Sequence, residues 1–219
     1  MRQIAHIINP VVVMPSSDLS IAQPITFASM TAAREFARSA VNVEFYSAQF
    51  PEDRPIVPED FAMTPDLERS VLDVTSFELE RKLPLIKDIL DRLYKSTSAD
   101  FMIYTNVDIA LMPAFFSAVD RIVADGYDAF VINRRTISDR YKSVNDLPLM
   151  YAEAGESHKG WDCFVFSRSL YPGFDTGNAC IGAGWIGRVL ITNMACLARN
   201  FRIFDDLHLT FHRGNEKIW

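Results

Sequence analysis

The segment Phe101-Met102-Ile103-Tyr104-Thr105 constrains this chain more than any other. It has strand length, β-forming residues and no alternation of polar with apolar positions. A strand of that kind needs cover on both faces, which an open sheet flanked by helices supplies and a one-sided antiparallel sheet does not. The run ends abruptly in Asn106-Val107-Asp108. In extended backbone residues two apart point the same way, so the pattern places an amide and a carboxylate side by side. It puts them just past the carboxyl end of a central strand, where open α/β sheets bind ligands.

The rest of the chain supplies the flanking layers. Ile4 to Val13 reads as a first strand bent or ended by Pro10, Thr26 to Ala40 as a helix and Val41 to Ala48 as a second strand, an order that suits a parallel sheet. Pro51, Pro55, Pro58 and Pro65 mark a surface loop. Asp66 to Lys82 looks helical, and a further helix follows Pro84, with Leu83, Ile86, Leu90 and Leu93 toward the core and Lys87, Asp88, Asp91 and Arg92 toward water. Pro113 opens a helix closed at Gly126. Ala129 to Ile132 and Cys163 to Phe166 read as strands, Val189 to Arg199 as a helix and Phe201 to Phe204 as a last short strand. With 219 residues, 49% hydrophobic, the expectation is one domain over residues 1–219.

Charge narrows the partners. The formal net charge is −6, and the basic residues are scattered apart from pairs such as Arg134-Arg135, so neither nucleic acid nor an anionic membrane fits as main partner. Cys163, Cys180 and Cys196 are an odd set without a C-x-x-C pair, which argues against a disulfide framework or a structural zinc site. The apolar start is interrupted by His6, Asn9 and Pro10 with no small-residue cleavage site after it, and no segment reaches the length of a membrane span; a cytoplasmic protein is expected.

Hard oxygen donors such as those of Asn106 and Asp108 suit Mg²⁺ or Mn²⁺, completed by substrate phosphates and water. A strand ending in Ile103-Tyr104-Thr105-Asn106-Val107-Asp108-Ile109 resembles the metal-binding signature of GT-A-type glycosyltransferases, with Asn where the pattern usually opens with Asp. The similarity runs on through the helix after Pro113, the strand with its Arg pair, and His158-Lys159-Gly160-Trp161-Asp162-Cys163-Phe164-Val165-Phe166. It implies a mostly parallel, helix-covered α/β domain of GT-A type. It also implies a nucleotide-diphospho-sugar donor held through Mn²⁺ or Mg²⁺, and an acceptor the sequence does not identify.

On that reading Asn106, Asp108 and a late histidine, His212, form the metal shell, while His208 is the other late histidine. Asp162 is the expected general base for an acceptor hydroxyl, Trp161 a stacking surface for a sugar, and Arg134 or Arg135 a phosphate partner. Asn9 and Asp18, after the first strand, line the nucleotide. Two other readings stand beside it. One is a catalytically silent domain that binds a nucleotide sugar or a partner. The other is an NAD(P)-dependent oxidoreductase using Gly182-Ala183-Gly184-Trp185-Ile186-Gly187, which matches G-x-G-x-x-G and precedes a helix, with Asp205-Asp206 further on.

Overall fold

The computed structural model describes residues 1–76, 80–182 and 185–215. The chain enters on β1 (Arg2–Ile8), passes through α1 (Leu19–Ala37) and returns on β2 (Val41–Ser47), parallel to β1. β3 (Ala62–Met63) adds two residues to the outside of β2. After α2 (Ile86–Ser96), β4 (Phe101–Thr105) pairs parallel with the other edge of β1, with all five residues buried. β5 (Ala110–Leu111) and α3 (Phe115–Ala124) follow, then β6 (Ala129–Ile137), α4 (Leu147–Ala152) and the long β7 (Glu156–Ser167). α5 (Ile186–Leu197), β8 (Phe201–Phe204) and β9 (Thr210–Arg213) complete the described elements.

Among the described residues the strands make one sheet, in the order β3-β2-β1-β4-β7-β6-β9-β5 with β8 also on β6. β7 runs antiparallel to both its neighbours and β5 antiparallel to β9; the other pairings are parallel, so the sheet is mostly parallel. One edge of β6 is shared end to end: Ala129–Ile132 pair with β8 and Arg135–Ile137 with β9.

The expected cover on both faces is present. Ile4, Ile103, Phe130 and Val165 pack with Met30 and Ala33 of α1 and Phe116 and Val119 of α3, while Ala5, Met102, Val131 and Phe164 pack on the opposite side with Ile89 and Leu93 of α2 and Leu190 and Met194 of α5. Successive residues of one strand therefore bury against different helix layers, the origin of the missing alternation. Gly126, at φ 96°, carries the chain out of α3 in a conformation that a side chain would disfavour.

Several boundaries differ from expectation. Helix α1 starts at Leu19, before Pro24; a proline this close to the helix start deprives only the carbonyl of Ser20 of its partner, so it does not break the helix. The helix expected over residues 66–82 is absent from the described part of that segment, which holds only a 3₁₀ turn at Val71–Asp73. There Asp73 accepts from the Ser70 backbone N–H and the Ser70 hydroxyl accepts from Leu72, while the Val71 N–H donates to the Leu83 carbonyl; local polar side chains have replaced the helical ladder. Asp88, expected in water, is only 8% exposed and accepts from Nε and Nη2 of Arg69 at 2.8 and 2.9 Å. Arg134, Arg135, Trp161 and Asp162 lie within strands β6 and β7 rather than at their ends. No helix among the described residues is long and apolar enough to cross a membrane.

Candidate functional site

Beyond Thr105 the backbone leaves the sheet in a tight turn, closed by a bond of 3.2 Å from the Ile109 N–H to the Asn106 carbonyl. Asn106 and Asp108 therefore take different partners, in place of the side-by-side arrangement of extended backbone. Asn106 stays over the sheet. Its Oδ1 accepts from the Tyr104 hydroxyl at 2.8 Å, and its Nδ2 faces Asp162 Oδ1 at 3.4 Å. Tyr104 stands two residues before Asn106 on the same strand face, so period-two spacing alone could have added it to the site; its burial, with the Asp108 and Asp162 carboxylates nearby, raises its phenol pKa.

Asp162 owes its position to irregular pairing. The β6–β7 register slips between Ile132 and Asn133 and again between Asn133 and Arg135, leaving extra residues on β7. Bulges of this kind re-aim side chains. Here they set Asp162 Oδ2 at 2.7 Å from Arg134 Nη1, with both side chains nearly enclosed. His158, which the sequence reading left without a role, reaches to 3.4 Å from Arg134 Nη2, and its Nδ1 accepts from the Gly160 N–H.

Asp108 meets the last described strand instead. His212 of β9 sits with Nε2 at 3.3 Å from Asp108 Oδ2. Its Nδ1–H donates to the Gly214 carbonyl at 2.8 Å, which fixes the ring so that Nε2 is the nitrogen turned to the site. Burial would push the Asp108 carboxyl up, but the hydrogen bond and charge of His212, helped by the Arg134 guanidinium, hold it below the usual carboxylate range. Burial would likewise lower His212, and the Asp108 carboxylate outweighs it, leaving the imidazole above its ordinary value. Asp108 Oδ1 is enclosed and has no hydrogen-bond partner among the described residues.

Five of the residues singled out in the sequence thus converge: Asn106, Asp108, Asp162, Arg134 and His212. The other four do not join them directly. Asn9 is buried and its amide donates to the Ala48 carbonyl at 2.5 Å, clasping the ends of β1 and β2. Asp18 immediately precedes α1 and lies 4.0 Å from Arg213, the neighbour of His212. Arg135 donates to the carbonyls of Ala154 and Gly155 and pairs with Asp206, so its guanidinium is spent on the backbone. Trp161 packs under α5 so closely that a Cβ on Gly187 would come to 3.3 Å from its ring. His208 lies off β9, and charge from Arg135 adds to burial in lowering its pKa.

The glycine motif lacks its framework. Cys180 makes only an isolated bridge to Leu85, so no strand feeds the turn at Gly182, and Asp206 is paired with Arg135; Ala183 and Gly184 lie outside the described residues. Among the described residues no three His, Cys, Asp or Glu side chains are grouped for a metal ion. The donors that do face one another are the Asp108–His212 pair, with the Asn106 amide nearby in sequence.

No protein-family model and no curated protein matches the sequence. Solved structures do. TarS of S. aureus (residues 1–349, in complex with UDP-GlcNAc) superposes with a TM-score of 0.58 at 9% identity, over 99% of this chain and 60% of that one. Glucosyl-3-phosphoglycerate synthase of Mycobacterium tuberculosis, in complex with Mn²⁺, UDP-glucose and phosphoglyceric acid, gives 0.52 at 14% identity, over 98% and 73%. The catalytic domain of Drosophila β1,4-galactosyltransferase 7, in complex with xylobiose, gives 0.51 at 10% identity, over 98% and 72%. This chain therefore spans less than two thirds of the TarS chain, and its fold is that of GT-A-type glycosyltransferases.

Proposed function

We propose that the chain is a nucleotide-diphospho-sugar glycosyltransferase that works with a bound divalent cation. The observation that carries this reading is the convergence of Asp108, His212, Asn106, Asp162 and Arg134 beyond β4, in a fold whose solved neighbours hold UDP sugars.

The residues fit such an ion. Asp108 has an enclosed oxygen without a partner among the described residues, and His212 has its Nε2 set toward that carboxylate by the Gly214 carbonyl behind it. Small hard cations take few protein ligands and leave the remaining positions to phosphate and water. Asp108 and His212 would hold Mn²⁺ or Mg²⁺, with the Asn106 side-chain Oδ1, which also accepts from the Tyr104 hydroxyl, as third donor. Such an ion supplies charge stabilisation to the departing diphosphate.

The chain's own residues do the rest. Asp162, kept in register by Arg134 and Asn106, accepts the proton of the acceptor hydroxyl. Arg134 holds positive charge behind that carboxylate. The loop between Asn9 and Asp18, at the carboxyl end of β1, is where we place the nucleotide, since ligands of open α/β sheets lie beyond these strand ends. The acceptor is a hydroxyl compound of unassigned structure.

The test is a thermal-shift and donor-hydrolysis screen of UDP sugars with and without Mn²⁺, on this chain and on Asp108→Ala. A midpoint that rises only when UDP sugar and Mn²⁺ are both present, and that Asp108→Ala abolishes, supports the reading; no response in any combination sinks it. A second reading is favoured by Asn106 and by the engagement of both Asp162 oxygens: a domain that binds the donor without turnover. Binding without release of free sugar decides for it.

A further inference from the structure

One buried polar pair has no part in the chemistry above. His6, in the middle of β1, is fully buried, with the rings of Phe45, Phe115 and Phe116 around it at centroid distances of 5.9–6.4 Å. Its Nε2 lies 2.8 Å from the Thr105 hydroxyl, itself fully buried, and its Nδ1 has no partner among the described residues. Burial holds the imidazole neutral, its pKa down at about 3. A phenylalanine or leucine would fill this space without a stranded nitrogen, so stability alone does not account for histidine here.

Thr105 is the last residue of β4, and the turn bearing Asn106 and Asp108 begins at the next position. In the β1–β4 register His6 is opposite Ile103, so Thr105 lies two residues further along the same face, and the bond runs diagonally between the strands. It ties the end of β4 sideways to β1, where the backbone ladder is about to stop.

We propose that His6 is a positioning residue: through Thr105 it sets where β4 ends, and so where the turn holds Asn106 and Asp108. The inference rests on the reading of those two residues as ligands, and acts one layer beneath them. Residues behind metal ligands commonly matter by about 10–100-fold in affinity, the range expected here.

The variants are His6→Phe and Thr105→Val, which remove the bond and keep the volume, with Thr105→Ser as the version that keeps the hydroxyl. Three quantities are read: the melting midpoint, the affinity for Mn²⁺ in the presence of UDP, and the exchange rate of the Ile109 amide, whose bond to Asn106 closes the turn. We expect His6→Phe and Thr105→Val to stay folded but melt lower, since each leaves one buried polar group without its partner, to bind Mn²⁺ about 10-fold more weakly and to exchange Ile109 faster, while Thr105→Ser keeps parental affinity. Folded variants with unchanged affinity and unchanged Ile109 exchange overturn the proposal. So does an affinity loss in Thr105→Ser equal to that in Thr105→Val. Should the parent itself fail to bind Mn²⁺ with UDP, the functional reading falls, and Ile109 exchange still decides whether His6 holds the turn.

Discussion

Arg134 and Asp162 face each other across the irregular stretch of β6 and β7, Nη1 to Oδ2 at 2.7 Å, with side chains only 3% and 10% exposed. Neither charge has bulk water to fall back on. Arg134→Met should therefore strand a buried carboxylate and destabilise the fold by about 3–5 kcal/mol, whereas replacing both partners by apolar residues should recover most of that loss. Urea unfolding of Arg134→Met and of the double variant with Asp162→Leu measures both. A double variant as unstable as the single one would mean that other contacts of Arg134 carry its contribution.

For turnover the decisive change at the same pair is Asp162→Asn, which keeps the shape and removes the proton acceptor. The expected loss in kcat is about 10²–10⁴-fold with donor KM within a few-fold of the parent. Steady-state kinetics on the donor found active in the screen would expose the assignment as wrong if kcat held.

Asn106 is suited to its neighbours in a way an aspartate would not be. Its Nδ2 faces a carboxylate oxygen at 3.4 Å, so Asn106→Asp would oppose two negative charges there. Without metal we expect a lower melting midpoint, corresponding to about 1–3 kcal/mol. Added Mn²⁺ should narrow the gap, because a cation relieves the repulsion. Melting curves with and without Mn²⁺ check this; an equal gap in both would place the two carboxylates apart.

The Asp108–His212 pair predicts a pH window. His212 is raised from 6.5, so its contribution is complete below pH 6.5 and disappears as pH rises through the folded value. Asp108 is lowered from 3.8, so its contribution is complete above pH 3.8 and disappears as pH falls through the folded value. In metal-free protein, His212→Gln should therefore differ most from the parent between those two ordinary values and converge with it in alkali. Mn²⁺ should run the opposite way, binding more tightly as pH rises, because the ligand is the neutral imidazole. Denaturation midpoints and Mn²⁺ titrations across the range test both slopes.

Much of this was legible in the sequence where side-chain pattern follows backbone directly. The unalternating run at Phe101–Thr105 announced a central strand, Gly126 the end of α3, and the apolar spacing of Ile86, Leu90 and Leu93 the buried face of α2. What escaped depends on contacts between distant segments. β9 is four residues long, and its pairing with β5 and β6 brings His212 to Asp108. The slipped register that turns Asp162 onto Arg134 has no signature within either strand. Asp66 to Lys82 failed for another reason: Ser70 and Asp73 satisfy local N–H groups that a helix would have used. Trp161 and Arg135 carried plausible chemistry by type, but their close contacts, to Gly187 and to the Gly155 carbonyl, could not be read from type alone.

The way the sheet finishes has a consequence for how the molecule behaves in company. Its outermost strands, β3 and β5, are two residues each, and β8 is four. Among the described residues β3 covers only Tyr46 and Ser47 of β2, so a foreign strand looking for unpaired N–H and C=O groups would find its longer template along Val41–Phe45. Strand-by-strand assembly in concentrated solution, and any peptide ligand that lengthens a host sheet, should therefore act at that stretch and not at the two-residue borders.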